Sequence, residues 1–210
     1  TAYDIKRYQG SDGKVHTVQI FDKEDTEKDH WKLSQSWFKR KYGNPVIGKD
    51  GERIYGNKTE EVVLFMGDDK EKNQDFLKGW LNGNKNGVIT FRGHSFSLEN
   101  NIPYNIFANA AGDYLFIPGS CGSSSSVPMY KASSPSTTFT FFSNTSTGRG
   151  QVTNALVDML LAEKTTISFL ELLEKNAKRI EQNGGDVKTI KAYSQGEAML
   201  DYVAKASLGK

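Results

Sequence analysis

Residues 87–123, GVITFRGHSFSLENNIPYNIFANAAGDYLFIPGSCGS, decide how the chain is read. Two apolar runs, residues 88–91 (VITF) and 114–117 (YLFI), each end at a corner of small residues. They are too short for helices and too continuously apolar for a half-exposed hairpin, so they predict strands buried on both faces, as in a parallel sheet. The interval between them accommodates a parallel crossover, with residues 105–111 (NIFANAA) as its expected helix and Gly112 and Asp113 as the turn into the second strand. Parallel neighbours end on the same edge, roughly 5 Å apart in the pairing direction, and open α/β sheets bind ligands at that edge. His94 follows the first strand and Cys121 the second. A thiol needs a nearby base or positive charge to act as a thiolate near neutral pH, and imidazole suits that task. The pair is a candidate Cys/His dyad.

With these residues the chain resembles the clan CD cysteine peptidases, the caspase-like superfamily of caspases, legumains, gingipains and clostripain-like enzymes. The resemblance is carried by an apolar strand ending in His and a small residue, ITFRGHS, and by a later apolar strand ending in a small residue and Cys, LFIPGSC. It implies the caspase-hemoglobinase fold, a three-layer sandwich with a mostly parallel sheet flanked by helices, over a single domain spanning residues 1–210. It further implies an endopeptidase in which Cys121 is the nucleophile, His94 the general base or acid, and the backbone N–H groups of Ser95 and Cys121 the oxyanion donors. No cofactor is required by this chemistry, and the partner is a peptide or protein substrate. Some relatives are made as zymogens, which makes the Ser-rich residues 122–137 a candidate cleavage point. The His94-to-Cys121 interval is short for the superfamily, and Gly119 and Ser120 stand where an acidic residue commonly precedes the cysteine. The changes around the cysteine favour the alternative, a caspase-like module that binds peptides or proteins without cleaving them.

The remaining chain fits a wound α/β pattern. Residues 15–21 (VHTVQIF) and 62–66 (VVLFM) predict strands, each followed by an amphipathic helical stretch, residues 29–41 and 73–81. Residues 44–60 read as a loop with a short hairpin around Gly48 and Gly51, residues 1–14 as polar, and residues 122–137 as a long exposed loop. Residues 138–143 (TFTFFS) predict a fifth strand, and helices are expected around residues 152–160, 167–182 and 194–204. Trp31, Trp37 and Trp80 are expected in the core.

Acidic residues follow two of these strands, Asp22 and Asp25 after the first and Asp68 and Asp69 after the second. One of them is a candidate to receive a substrate Lys or Arg, with loop solvation or helix capping as its ordinary role. Arg92 and Arg149 are the matching candidates for an acidic substrate side chain, with structural pairing as theirs.

Composition narrows the alternatives. The chain has 210 residues, 37% hydrophobic with 12 Phe and 9 Tyr, enough for one sizeable core. Twenty-seven basic against 25 acidic residues leave a net charge of +2 and no dense basic stripe, which argues against nucleic acid as a partner. One Cys makes no internal disulfide, and an inventory of one Cys and three His argues against a metal site built on several Cys and His. No apolar run reaches the roughly 18 residues of a membrane span. The chain starts at Thr1 without a signal-peptide core, the expectation for an excised domain or mature form of a soluble protein, cytoplasmic or secreted.

Three other chemistries meet obstacles in the inventory. Residues 93–97 superficially resemble a serine-hydrolase nucleophile elbow at Ser95, but no histidine follows His94. A cysteine phosphatase needs an arginine soon after the cysteine, and residues 122–130 contain no basic residue. The Gly/Ser run 119–126, read as a phosphate loop, lacks the P-loop lysine.

Overall fold

The computed structural model describes residues 2–24, 28–120, 123–133, 138–140 and 150–168, with 171, 172, 174–176 and 182 beyond them. In chain order the elements are β1 (Ala2–Tyr3), a 3-10 turn (Ile5–Tyr8), β2 (Val15–Phe21), α1 (Lys28–Tyr42), β3 (Val46–Ile47), β4 (Arg53–Gly56), β5 (Glu60–Phe65) and α2 (Lys70–Gly83). There follow β6 (Gly87–Arg92), α3 (Ser95–Asn101), β7 (Tyr114–Gly119), a second 3-10 turn (Ser123–Ser126), α4 (Val127–Ser133), β8 (Thr138–Thr140), α5 (Gly150–Ala162) and β9 (Ile167–Ser168). The main sheet has seven strands in the order β3-β4-β5-β2-β6-β7-β8, and β1 pairs with β9 in a separate antiparallel ribbon. Within the sheet, β5, β2, β6, β7 and β8 run parallel, and the β3–β4 hairpin joins antiparallel at one edge.

The continuous apolar character of the central strands has the expected cause. Every residue of β6 and β7 is buried, because helices cover both faces of the sheet. Alternate side chains go to opposite layers. Val62 and Leu64 of β5, Val88 of β6, and Leu115 and Ile117 of β7 pack with Phe38 of α1 and residues 155–157 and 159–161 of α5. Val63 and Phe65, Ile89 and Phe91, and Tyr114 and Phe116 pack instead with Leu77, Trp80 and Leu81 of α2, Leu98 of α3 and Tyr130 of α4. Phe116 is fully buried in that second layer against Phe107 and Tyr130, so its truncation to Ala costs about 3–5 kcal/mol. The molecule is therefore an α/β protein with a mostly parallel mixed sheet between two helical layers. No helix among the described residues is long and apolar enough to cross a membrane.

Local chemistry sets the ends of the elements. Asp69 caps α2 by accepting from the Lys72 N–H at 2.8 Å. Gly43 follows α1 at φ +87°, where its N–H bonds the Lys39 carbonyl at 2.9 Å.

Five elements depart from the sequence reading. The crossover from β6 to β7 carries its helix at Ser95–Asn101, directly after His94, not at residues 105–111. There the chain makes successive i→i+3 bonds, Ile106 to Pro103, Ala108 to Asn105 and Ala110 to Phe107, the signature of repeated tight turns. The hairpin near Gly48 is no isolated loop but extends the sheet. Tyr3, Ile5 and Tyr8 bring the supposedly polar N-terminus into the core. Residues 123–133 are helical where an exposed loop was expected. Residues 167 and 168 are strand, with helix described only from residue 171.

Candidate functional site

In chain order the five parallel strands form the pattern 2-1-3-4-5, with β2 between β5 and β6. The helix leaving β2, α1, lies on one face of the sheet, whereas the helix leaving β6, α3, lies on the other. Adjacent strands whose continuations depart to opposite faces open a crevice between their carboxyl ends, the usual ligand position in such sheets. Asp22 stands at the end of β2 on that crevice, and Gly93 and His94 follow β6.

The β6 end is held tightly. Asp22 N–H bonds the Arg92 carbonyl at 2.9 Å, continuing the β2–β6 pairing one step past the strand. A Cβ on Gly93 would sit 2.6 Å from the Phe91 ring and 2.9 Å from Asp22 Cβ, so only glycine fits between the two strand ends. Gly119 is similarly confined, its hypothetical Cβ 2.5 Å from the Phe91 carbonyl oxygen. Gly93 and Gly119 are thus required by close packing of the strand ends.

His94 occupies the position before α3, extended at φ −69° and ψ 153°, yet its side chain caps no helix N–H. Its carbonyl accepts from Ser97 Oγ at 2.9 Å and from Ser97 N at 3.1 Å, which fixes the backbone while the side chain is exposed. The imidazole stacks on Phe96, centroids 5.1 Å apart and planes at 22°. Ser95 is the first residue of α3, a position whose N–H has no intrahelical acceptor.

Cys121 lies outside the described residues, as do Asp25 and Arg149. The chain enters Cys121 from Ser120, a buried residue. In the β6–β7 ladder Arg92 is paired with Gly119. His94 and Cys121 each come two residues after that pair in the sequence, and their strands end on one rim as parallel neighbours.

Two buried polar groups hold this rim together. Arg92 is 5% exposed, donates from Nη1 to the Gly119 carbonyl at 2.7 Å, and brings Nη2 within 3.5 Å of His30 Nε2 on α1. It ties the end of β6 to the end of β7. Asn73 of α2, 1% exposed, donates from Nδ2 to the Phe21 carbonyl at 3.0 Å and to Asn101 Oδ1 at 2.6 Å. Its Oδ1 accepts the Gly67 N–H at 2.8 Å, and Asn101 Nδ2 in turn donates to the Ser97 carbonyl at 2.9 Å. One carboxamide thereby joins the end of β2, the turn after β5 and the helix that follows His94.

The remaining candidates are placed as follows. Asp22 is 2% exposed and accepts from the Glu24 N–H at 3.2 Å. Asp68 is exposed and paired with Lys23 at 2.7 Å and Lys72 at 3.1 Å, contacts that hold its carboxyl below the usual range. Asp69 is the α2 cap described above. Of the acidic candidates described, Asp22 alone borders the β2–β6 crevice. Among the described residues no group of His, Cys, Asp and Glu could hold a metal ion.

A cavity of about 730 Å³ opens elsewhere, between the β3–β4 hairpin and α2, over Ile54, Val63, Phe65, Phe76 and Trp80. Its lining includes none of the site residues read from the sequence. The rim is preferred as the site because titratable side chains, strand ends and the topological crevice coincide there.

Asn73 and Phe96 were not legible as site residues. Asn73 lies four residues before Leu77 on the inward stripe of α2, where an apolar residue is expected, and that mismatch was the available signal. Phe96 had none beyond its closeness to His94.

Comparisons of the chain with protein-family models and with characterised proteins return no match.

Proposed function

We propose that the chain is a cysteine endopeptidase of the caspase-like kind. The observation that carries this reading is the β6–β7 ladder, in which the parallel strands end on one rim with Arg92 paired to Gly119, each two residues before His94 or Cys121 in the sequence. The crevice between β2 and β6 supports it, as does the exposure of a histidine that serves no capping role.

In this reading the Cys121 thiolate attacks the peptide carbonyl carbon, and the developing oxyanion is held by the Ser95 and Cys121 N–H groups. Removing one such donor costs roughly 3–4 kcal/mol in known cases. The carbon–nitrogen bond breaks as the His94 imidazolium gives its proton to the leaving amine. Water then attacks the acyl thioester, His94 takes the water proton, and the thiolate is released with the carboxylic acid product. Asp22, buried beside Gly93, is the carboxylate best placed to favour Lys or Arg before the scissile bond. Arg92 donates from Nη1 to the Gly119 carbonyl, so it is assigned to holding the rim rather than to substrate.

The test is a set of fluorogenic peptides differing only before the scissile bond. The expected result is release from basic peptides, lost in Cys121→Ala and in His94→Ala. No release from basic, acidic or neutral peptides overturns the proposal, and saturable peptide binding without release assigns the chain to the non-cleaving alternative.

A further inference from the structure

Phe96 is 79% exposed. Single exposed apolar residues are ordinary, but this one stands on the first turn of α3 with its ring against the imidazole of His94. The helix is inverted relative to a usual surface helix: its polar Ser97 and Asn101 are buried with Leu98, and its aromatic residue faces outward. The inward polar residues are accounted for by the bonds to the His94 carbonyl and to Asn73. Nothing in the packing of α3 calls for the outward phenylalanine.

We propose that Phe96 forms the wall of a binding subsite for a large apolar side chain on the substrate residue that follows the scissile bond. The inference rests on the peptidase reading above and extends it to specificity. A proton passing from His94 to the leaving nitrogen requires that nitrogen within hydrogen-bonding reach of the imidazole. The residue carrying the nitrogen therefore lies beside His94, where Phe96 is the exposed aromatic surface. Apolar and aromatic side chains gain both buried area and ring contact there. Glu99, exposed and three residues along the same helix, lies on the same side of α3 as Phe96 and disfavours an acidic side chain at that position.

The experiment uses short internally quenched peptides of one sequence, with Arg before the scissile bond and Phe, Leu, Ser or Asp after it. Cleavage is measured with the full chain and with Phe96→Ser and Phe96→Leu. Affinity for the same peptides is measured by fluorescence anisotropy on the Cys121→Ala protein, with and without Phe96→Ser. The Phe peptide is expected to exceed the Ser peptide in kcat/KM by roughly two- to tenfold, with Asp below Ser. Phe96→Ser removes that ratio, Phe96→Leu keeps part of it, and the affinities follow the same order. Because the ring is exposed, thermal melting of both variants should match the parent chain.

Cleavage at equal rates for all four peptides, or a preference unchanged by Phe96→Ser, overturns the subsite and leaves the peptidase reading standing. No cleavage combined with a Phe-dependent affinity that Phe96→Ser abolishes overturns the peptidase reading and with it the subsite as proposed, leaving Phe96 as a contact for a bound apolar peptide. Absence of both cleavage and peptide binding overturns both.

Discussion

Two histidines stand at opposite ends of the same sheet, and their surroundings differ in kind. His16, near the start of β2, is clamped: Nδ1 lies 3.1 Å from Glu61 Oε1 and Nε2 lies 3.0 Å from Asp12 Oδ2. His94, beyond the end of the neighbouring β6, is exposed, caps nothing and stacks on an exposed phenylalanine. Both ring nitrogens of His16 are used in joining the N-terminal turn to β5. The His94 ring stands at a crevice that the strand order itself creates. An imidazole held between carboxylates stabilises the fold, whereas the one on the switch-point rim is the ring proposed above to carry the proton.

The sharpest way to break this contrast is to remove each ring in turn. His94→Ala should lower peptide turnover by about 10²–10⁴-fold, the usual contribution of a general acid–base group. His16→Gln should leave turnover at parental levels in the same progress-curve assay. Equal losses would remove the distinction between the two ends.

Next in size is the buried carboxamide beneath the rim. Asn73→Leu deletes bonds to Phe21, Gly67 and Asn101 and leaves those groups buried without it. Urea denaturation should show a loss of about 2–4 kcal/mol. A change below about 0.5 kcal/mol would mean that the network does not hold the rim. Arg92→Met, which keeps the apolar stem but not the bond to Gly119, should cost about 1–3 kcal/mol by the same measurement.

The smallest effect belongs to the His16 clamp and is recognised by its pH dependence. The bond to Glu61, and secondarily that to Asp12, raises the His16 pKa against the opposing effect of burial. That contribution is present below the unfolded pKa of about 6.5 and fades as pH rises through the raised folded value. The Glu61 pKa is lowered chiefly by His16, and that of Asp12 first by the Lys14 N–H and then by His16. Their contribution is present above about pH 4 and is lost as pH falls through the depressed values. Parent and His16→Gln should therefore differ most in stability between about pH 4.5 and 6.5, and less at alkaline pH. Because the Asp12 side chain is 47% exposed and that of Glu61 33%, solvent screening limits the difference to about 0.5–1 kcal/mol. A difference that grows with pH would contradict the clamp.

The same contrast explains what the sequence made legible. The strands that carry the site were readable because burial on both faces leaves a continuous apolar run, as in residues 88–91 and 114–117, and because Gly93 and Gly119 mark strand ends too close for any side chain. Helix α3 was not readable. It buries one large apolar residue, Leu98, and turns Phe96 outward, so it lacks the apolar periodicity by which a surface helix is recognised. Residues 105–111 have that apolar content but spend it in successive tight turns. The N-terminal ribbon escaped notice because β1 has two residues and its partner β9 lies across the chain at Ile167–Ser168. Such pairing over a long sequence separation leaves no local pattern.

The proposed dyad requires the Cys121 sulfur and the His94 imidazole to meet over the rim shared by β6 and β7. Cys121 is the sole cysteine of the chain, so its alkylation by iodoacetamide, followed by mass spectrometry across pH, reports on that thiol alone. The account predicts a rate profile in the parent protein with its midpoint well below the roughly 8.5 of an ordinary thiol, moving towards that value in His94→Ala. Identical profiles in the two proteins, or a thiol unreactive in both, would contradict it.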